Sequence, residues 1–143
     1  MKNVTRLFDF PYFQLENYNL PDALVTKNGS DWIKTSTQEY INKANALSRA
    51  LLHLGVEKND KIAIISSNNR TEWHISDIGI LQTGAQNVPI YPTISSEDYE
   101  YILNHSEAKY CFVSDQEVYD KLKAVHANIP LLQDIYSFNE ISG

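Results

Sequence analysis

From Lys61 onward the chain repeats one grammar, in which a continuous apolar run, a polar break and a stretch of helical spacing follow one another. "KIAIIS" leads through polar "SNNR" and helical "TEWHISDIGILQT" to a second apolar run, "NVPIY". "SSEDYEYILNHS", "KYCFVS", "DQEVYDKLKAVHANI" and "PLLQDIYSF" continue the alternation. A strand that is apolar on both faces needs cover on both faces, and strand–helix–strand order implies parallel pairing through right-handed crossovers. The pattern therefore predicts an α/β fold, doubly wound, with a mainly parallel sheet and helices on both faces.

The residues before this repeat read differently. "ALV" and "WIK" flank "TKNGSD", and Asn28-Gly29 offers the positive φ angles of a tight turn, which predicts a hairpin of Ala23–Val25 against Trp32–Lys34. "STQEYINKANALSRALLHLG" opens with Ser36 three residues before Glu39, the spacing of a capping box. Its apolar positions Tyr40, Ala44, Leu47, Leu51 and Leu54 recur every three or four residues, and Gly55 can take the left-handed conformation that ends a helix. The expected division is residues 1–35 as an N-terminal extension and β-hairpin, and 36–143 as an α/β portion.

Composition narrows the function classes. With 43% hydrophobic and 21% charged residues in 143, the chain has the make-up of a globular domain. A net charge of -6 with scattered lysines gives no basic face for nucleic acid. No apolar run approaches the ~18 residues of a membrane span, and the N-terminus lacks an uninterrupted apolar signal segment, so a cytoplasmic chain is expected. The single cysteine, Cys111, lies in the apolar run "KYCFVS", where a buried, unreactive thiol is expected.

An open parallel sheet binds ligands at the carboxyl ends of its strands, which directs attention to "SSNNR", "PTISS", "SDQ" and "SFNEISG". None holds a phosphate-cradling glycine loop. Gly79 and Gly84 have a nucleotide-like spacing, but they lie within and just after a helix and precede Ala85-Gln86 rather than Lys and Ser. His53, His74, His105 and His126 fall on separate helices or helix ends without a second ligand at metal spacing. Neither the serine pair Ser95-Ser96 nor Cys111 has an assignable base, and Glu97-Asp98 sits in a first helical turn, where acids complement the helix dipole. Asp115 follows the third strand as the phosphoacceptor of a receiver domain would. The end of the first strand, Ser66-Ser67-Asn68-Asn69, lacks the carboxylates that such a site uses for Mg²⁺, and Asp60 is at the wrong end. No catalytic, cofactor-binding or metal residue is assigned.

Two features bear on completeness. On a helical wheel Ile75, Ile78 and Gly79 share one face while Trp73 and Ile80 point nearly opposite, so the helix is expected to need a second neighbour beyond these residues and to leave a sticky face that favours self-association. Pro89 and Pro92 bracket Tyr91: Pro89 cannot donate to a ladder, so its strand should be unpaired on one side there, and Pro92 should end it.

The order "WIKTSTQEY", "LGV", "DKIAIISSN", "EW", "GILQTGA" and "VPIYPT" resembles the opening of the adenylate-forming (AMP-binding, ANL) superfamily, over about Leu24 to about Ser137. "NVPIYPTIS" is similar to the long-chain fatty acyl-CoA synthetase branch. The resemblance implies a parent that joins a fatty acid to AMP using Mg²⁺-ATP and passes the acyl group to coenzyme A. It also implies that the family's phosphate loop ending in Pro-Lys-Gly, its Tyr-Gly-x-Thr-Glu segment, its ribose-binding Asp and its C-terminal-domain lysine come later than Gly143. The chain is then expected to be an N-terminal part of such a ligase and inactive alone. The alternative is a free-standing α/β interaction or regulatory module.

Overall fold

The computed structural model describes residues 4–142. It divides into two compact units, one running to Glu57 and including Arg70–Gly84, the other made of Lys58–Asn69 and the chain from Ala85 onward.

The first unit holds a 3₁₀ turn at Leu7–Asp9, helix α1 (Phe10–Asn17), strands β1 (Leu24–Asn28) and β2 (Asp31–Thr35), and helices α2 (Thr37–His53) and α3 (Thr71–Gln82). The sequence pattern does not predict α1. Its apolar residues lack a one-sided stripe, and only Pro11 at the helix start marks it. β1 and β2 pair antiparallel with Asn28 opposite Asp31, so the turn is Gly29-Ser30 and not Asn28-Gly29. Only Gly29, at φ +61°, takes a positive φ there, which suits a turn needing glycine at its first central position and leaves Asn28 in the strand. The strands are accordingly longer than the sequence predicts.

Helix α2 forms as its ends specify. The Ser36 hydroxyl accepts from the Glu39 N–H at 3.2 Å, and the Glu39 carboxylate accepts from the Ser36 N–H at 2.8 Å. At the other end the Val56 N–H reaches the Leu51 carbonyl, the Gly55 N–H reaches that of Leu52, and Gly55 has φ +82°. These bonds are a Schellman motif. The buried stripe is Tyr40, Ile41, Ala44, Ser48 and Leu51, while Leu54 is exposed because it lies in the turning cap.

α3 packs closely on α2, since a Cβ at Gly79 would sit 2.9 Å from the Leu47 side chain. Tyr40, Ala44 and Ile78 form the shared core with Phe8, Leu24 and Ile75 against them. On the other side of α3, Ile80 is 0% exposed and Trp73 is half-buried. The expectation that Ile80 would lack cover within these residues is thereby corrected. The wheel showed correctly that both sides of the helix are apolar, but it could not show how much cover the chain itself supplies.

The second unit is a four-stranded parallel sheet, β3 (Lys61–Ile65), β4 (Gln86–Ile90), β5 (Ala108–Val113) and β6 (Asp134–Ser137), in the order β4-β3-β5-β6. Helices α4 (Ser96–Ser106) and α5 (Gln116–Lys123) belong to it. Tyr99 and Leu103 from α4 and Val118 and Leu122 from α5 pack with Ala63, Ile65, Cys111 and Val113 in one apolar core. The alternate residues Ile62 and Ile64 are fully buried too, so the central strand is dry on both faces as its unbroken apolar run requires. One irregularity inserts Lys109 as an extra residue opposite β3, and its ammonium pairs with Asp60 at 2.8 Å.

Pro89 sits where an edge strand permits it. Among the described residues β4 pairs only with β3, and the Gln86 N–H donates to the Asp60 carbonyl. By the alternation of a parallel ladder, residues 88 and 90 also turn towards β3, and Pro89 faces the open edge. Its missing N–H costs no bond in the sheet.

Candidate functional site

The strand order reverses direction at β3 and β5, which makes the carboxyl ends of these strands the switch point where an open α/β sheet offers a crevice. β3 ends in Ser66-Ser67-Asn68-Asn69 and β5 in Ser114-Asp115. The buried Ser114 organises the edge: its N–H donates to the Ile65 carbonyl at 3.0 Å, and its hydroxyl accepts the Ser67 N–H at 2.9 Å. The hydroxyl proton goes to Asp115 Oδ2 at 2.6 Å, while Asp115 Oδ1 accepts the Val118 N–H at 3.1 Å and caps α5. Burial works against the charged form of Asp115, but the Ser114 hydroxyl and the helix N–H groups outweigh it and hold the carboxyl below its usual range. Asp115 is therefore a helix cap, and the Ser114 hydroxyl and the Ser67 N–H are engaged within the fold.

The neighbouring corner after β4 is held by side chains. The Tyr99 hydroxyl donates to the Pro92 carbonyl at 2.8 Å, and burial, the largest influence, pushes that phenol up to about 12. Lys121 donates to the Pro92 carbonyl at 3.3 Å and also to the Ile94 carbonyl, with its ammonium 5.0 Å from the Tyr99 ring centre. Tyr91 is left 81% exposed at the mouth of the edge. Lys121 carries no sequence signal for this role, because it reads as one of two lysines in the last turn of an amphipathic helix.

The remaining candidates stay apart. Among the described residues no group of three His, Cys, Asp or Glu could hold a metal ion. The His126 ring pairs with the Leu132 carbonyl at 3.0 Å, His105 stacks on Tyr101, and His74 lies edge-on to Trp73. Ser95 caps α4 through Asp98, which resolves the choice between Ser95 and Ser96. Cys111 is fully buried, and that burial pushes its thiol up, away from reactivity. Gly79 lies inside α3, and Gly84, at φ +84°, follows its end. The donor set at the sheet edge does not fit Mg²⁺-ATP: it offers one carboxylate, already engaged as a cap, and no glycine loop among its serines and asparagines. No helix of the described residues is long and apolar enough to cross a membrane.

Comparison with known proteins supplies the identity that this edge does not. The family model for "AMP-binding enzyme" matches residues 13–140. A long-chain-fatty-acid–CoA ligase of Xenopus laevis, ACSBG2, is 30% identical over 82% of this chain and 16% of its own length. FadD15 of Mycobacterium bovis, of the same description, is 32% identical over 80% of this chain and 19% of its own. Among solved structures, a putative long-chain-fatty-acid CoA ligase from Rhodopseudomonas palustris superposes with a TM-score of 0.82 at 18% identity, over 97% of this chain and 34% of that one. The anthranilate CoA ligase AuaEII superposes at 0.79 with 23% identity, over 96% and 26%. The chain thus spans less than a fifth of the length of the two curated relatives. Its sequence match places the chain in the AMP-binding enzyme family, related to the N-terminal part of long-chain fatty acid–CoA ligases.

Proposed function

We propose that residues 36–143 are the first α/β portion of an acyl-activating domain, with 1–35 as its extension and hairpin, in an ATP-dependent long-chain fatty acid–CoA ligase. In that parent, fatty acid, Mg²⁺-ATP and coenzyme A are the reactants, the compartment is cytoplasmic or at a membrane periphery, and this portion acts as a scaffold. The observation that carries the scaffold role is the mutual engagement of Ser67, Ser114 and Asp115 at the switch point. Ser67, Ser114 and Asp115 satisfy one another and the α5 terminus, so they bind no triphosphate and stabilise no developing charge.

Two measurements test this. The 143-residue chain with Mg²⁺-ATP and palmitate should release pyrophosphate no faster than a no-protein blank; release above it, from material free of host ligase, overturns the scaffold reading. A chimera in which residues 13–140 replace the matching segment of the M. bovis FadD15 should retain fatty-acid-dependent adenylation. A chimera that folds and is inactive would favour an interaction module that shares only the architecture.

A further inference from the structure

The first unit contains a cavity of about 760 Å³ between the N-terminal turn, α1 and α2, within the ~300–1,000 Å³ usual for small-molecule sites. Its walls include the half-buried rings of Phe8 and Phe13, and its floor includes Tyr12, Asn45, Ser48 and Gln82. The floor is a connected network. Ser48 Oγ lies 2.6 Å from Gln82 Oε1, Gln82 Nε2 donates to the Tyr12 hydroxyl at 2.8 Å, and that hydroxyl donates to Asn45 Oδ1 at 2.7 Å. Pre-arranged in this way, the floor has a defined shape before any ligand arrives.

Charge decides what the cavity could take. Arg6 is committed to Asp9 through two bonds, Nη2 to Oδ1 at 2.8 Å and Nε to Oδ2 at 3.2 Å. Glu16 also lines the wall and already has an interaction. Arg49 lines it as well, is exposed, and has no ion pair among the described residues. One unmatched guanidinium favours an anion, and its planar fork suits a carboxylate. A single unpaired cation suits a monoanion better than a dianion such as phosphate, and the phenylalanine rings favour an apolar body.

We propose that this cavity binds an amphipathic monocarboxylate, with the carboxylate on Arg49 and the apolar part against Phe8 and Phe13. The site is separate from acyl activation, so its fate is independent of the pyrophosphate assay and the chimera. The test is a titration of the 143-residue chain with sodium decanoate, below its micelle concentration, followed by backbone amide shifts. Saturable shifts are expected around Phe8, Phe13, Ser48 and Gln82. Arg49→Gln, an exposed change that should leave the far-ultraviolet circular dichroism spectrum unaltered, should weaken binding by about tenfold. Decanol should bind more weakly than decanoate, and inorganic phosphate should neither shift these amides nor displace decanoate. Absence of shifts, shifts elsewhere on the chain, unchanged affinity in Arg49→Gln, or displacement by phosphate would each overturn the proposal.

Discussion

The sheet unit and the N-terminal unit solve the problem of cohesion by different means. The first is held by dry apolar contact: Ile62, Ile65, Tyr99, Leu103, Val113 and Leu122 are each at most 1% exposed. The second has a smaller shared apolar core, Tyr40, Ala44 and Ile78, and side-chain hydrogen bonds tie its hairpin and helices together. Thr26 on the hairpin accepts the Thr71 N–H at 3.0 Å and so caps α3, whose own preceding residue offers no side-chain cap. Thr37 accepts the Leu20 N–H at 3.0 Å, and Ser48 lies 2.9 Å from the Gly79 carbonyl. The hairpin meanwhile leaves Trp32 63% and Ile33 51% exposed. Apolar burial is non-directional and scales with area, whereas a hydrogen bond contributes about 0.5–1.5 kcal/mol net and depends on geometry. Truncating an apolar side chain in the sheet unit should therefore cost more than removing a single polar contact in either unit.

The largest expected effect is in the dry core. Leu103→Ala should destabilise the sheet unit by about 2–5 kcal/mol in a urea titration, since the site is closed on all sides. A loss under 1 kcal/mol would show that core to be looser than its burial indicates. Gly79→Ala comes next: a methyl group 2.9 Å from Leu47 should force the α2–α3 contact apart at a cost of about 1–3 kcal/mol, although alanine is the better helix former. A stabilised variant would mean that Leu47 moves aside freely.

Capping losses should be smaller. Ser36→Ala should cost about 1 kcal/mol through the bond to the Glu39 N–H, and an unchanged midpoint would place the start of α2 elsewhere. Asp9 supplies a pH probe of the N-terminal unit. The Arg6 guanidinium holds its carboxyl at about 2, below the ordinary value. A depressed carboxylate stabilises the fold above its unfolded pKa, and the contribution disappears as pH falls towards 2. Carboxyl resonances followed by acid titration should show Asp9 protonating below the ordinary Asp range, and Arg6→Gln should move it up towards that range, with the Thr5 and Arg6 N–H groups still lowering it. The smallest effect belongs to the surface of the hairpin: Trp32→Ser should change stability by no more than about 0.5 kcal/mol, unless that face is covered in solution.

How far the fold was legible in the sequence follows the same division. The strands of the sheet unit were readable because a buried parallel strand is a continuous apolar run, and "KIAIIS" and "KYCFVS" admit little else. The caps Ser36 and Gly55 were readable because they act within one turn of their own helix. α1 was not, since its apolar residues show no helical stripe, and the turn moved by one residue because Asn28-Gly29 and Gly29-Ser30 are both acceptable turn pairs locally.

Sequence alone determined the family, the α/β class, the parallel strands and the burial of Cys111, because each depends on local order or on the apolarity of a contiguous segment. It also showed that no glycine loop follows any strand. Tertiary structure decided that Asp115 is a cap held by Ser114, that Lys121 and Tyr99 secure the proline corner, and that Arg49 shares a cavity with Phe8 and Phe13. Lys121 and Pro92 are 29 residues apart, and the Tyr12–Gln82 bond spans 70. Contacts at such separations leave no periodicity in the sequence, because loop closure and packing, and not local propensity, bring the partners together.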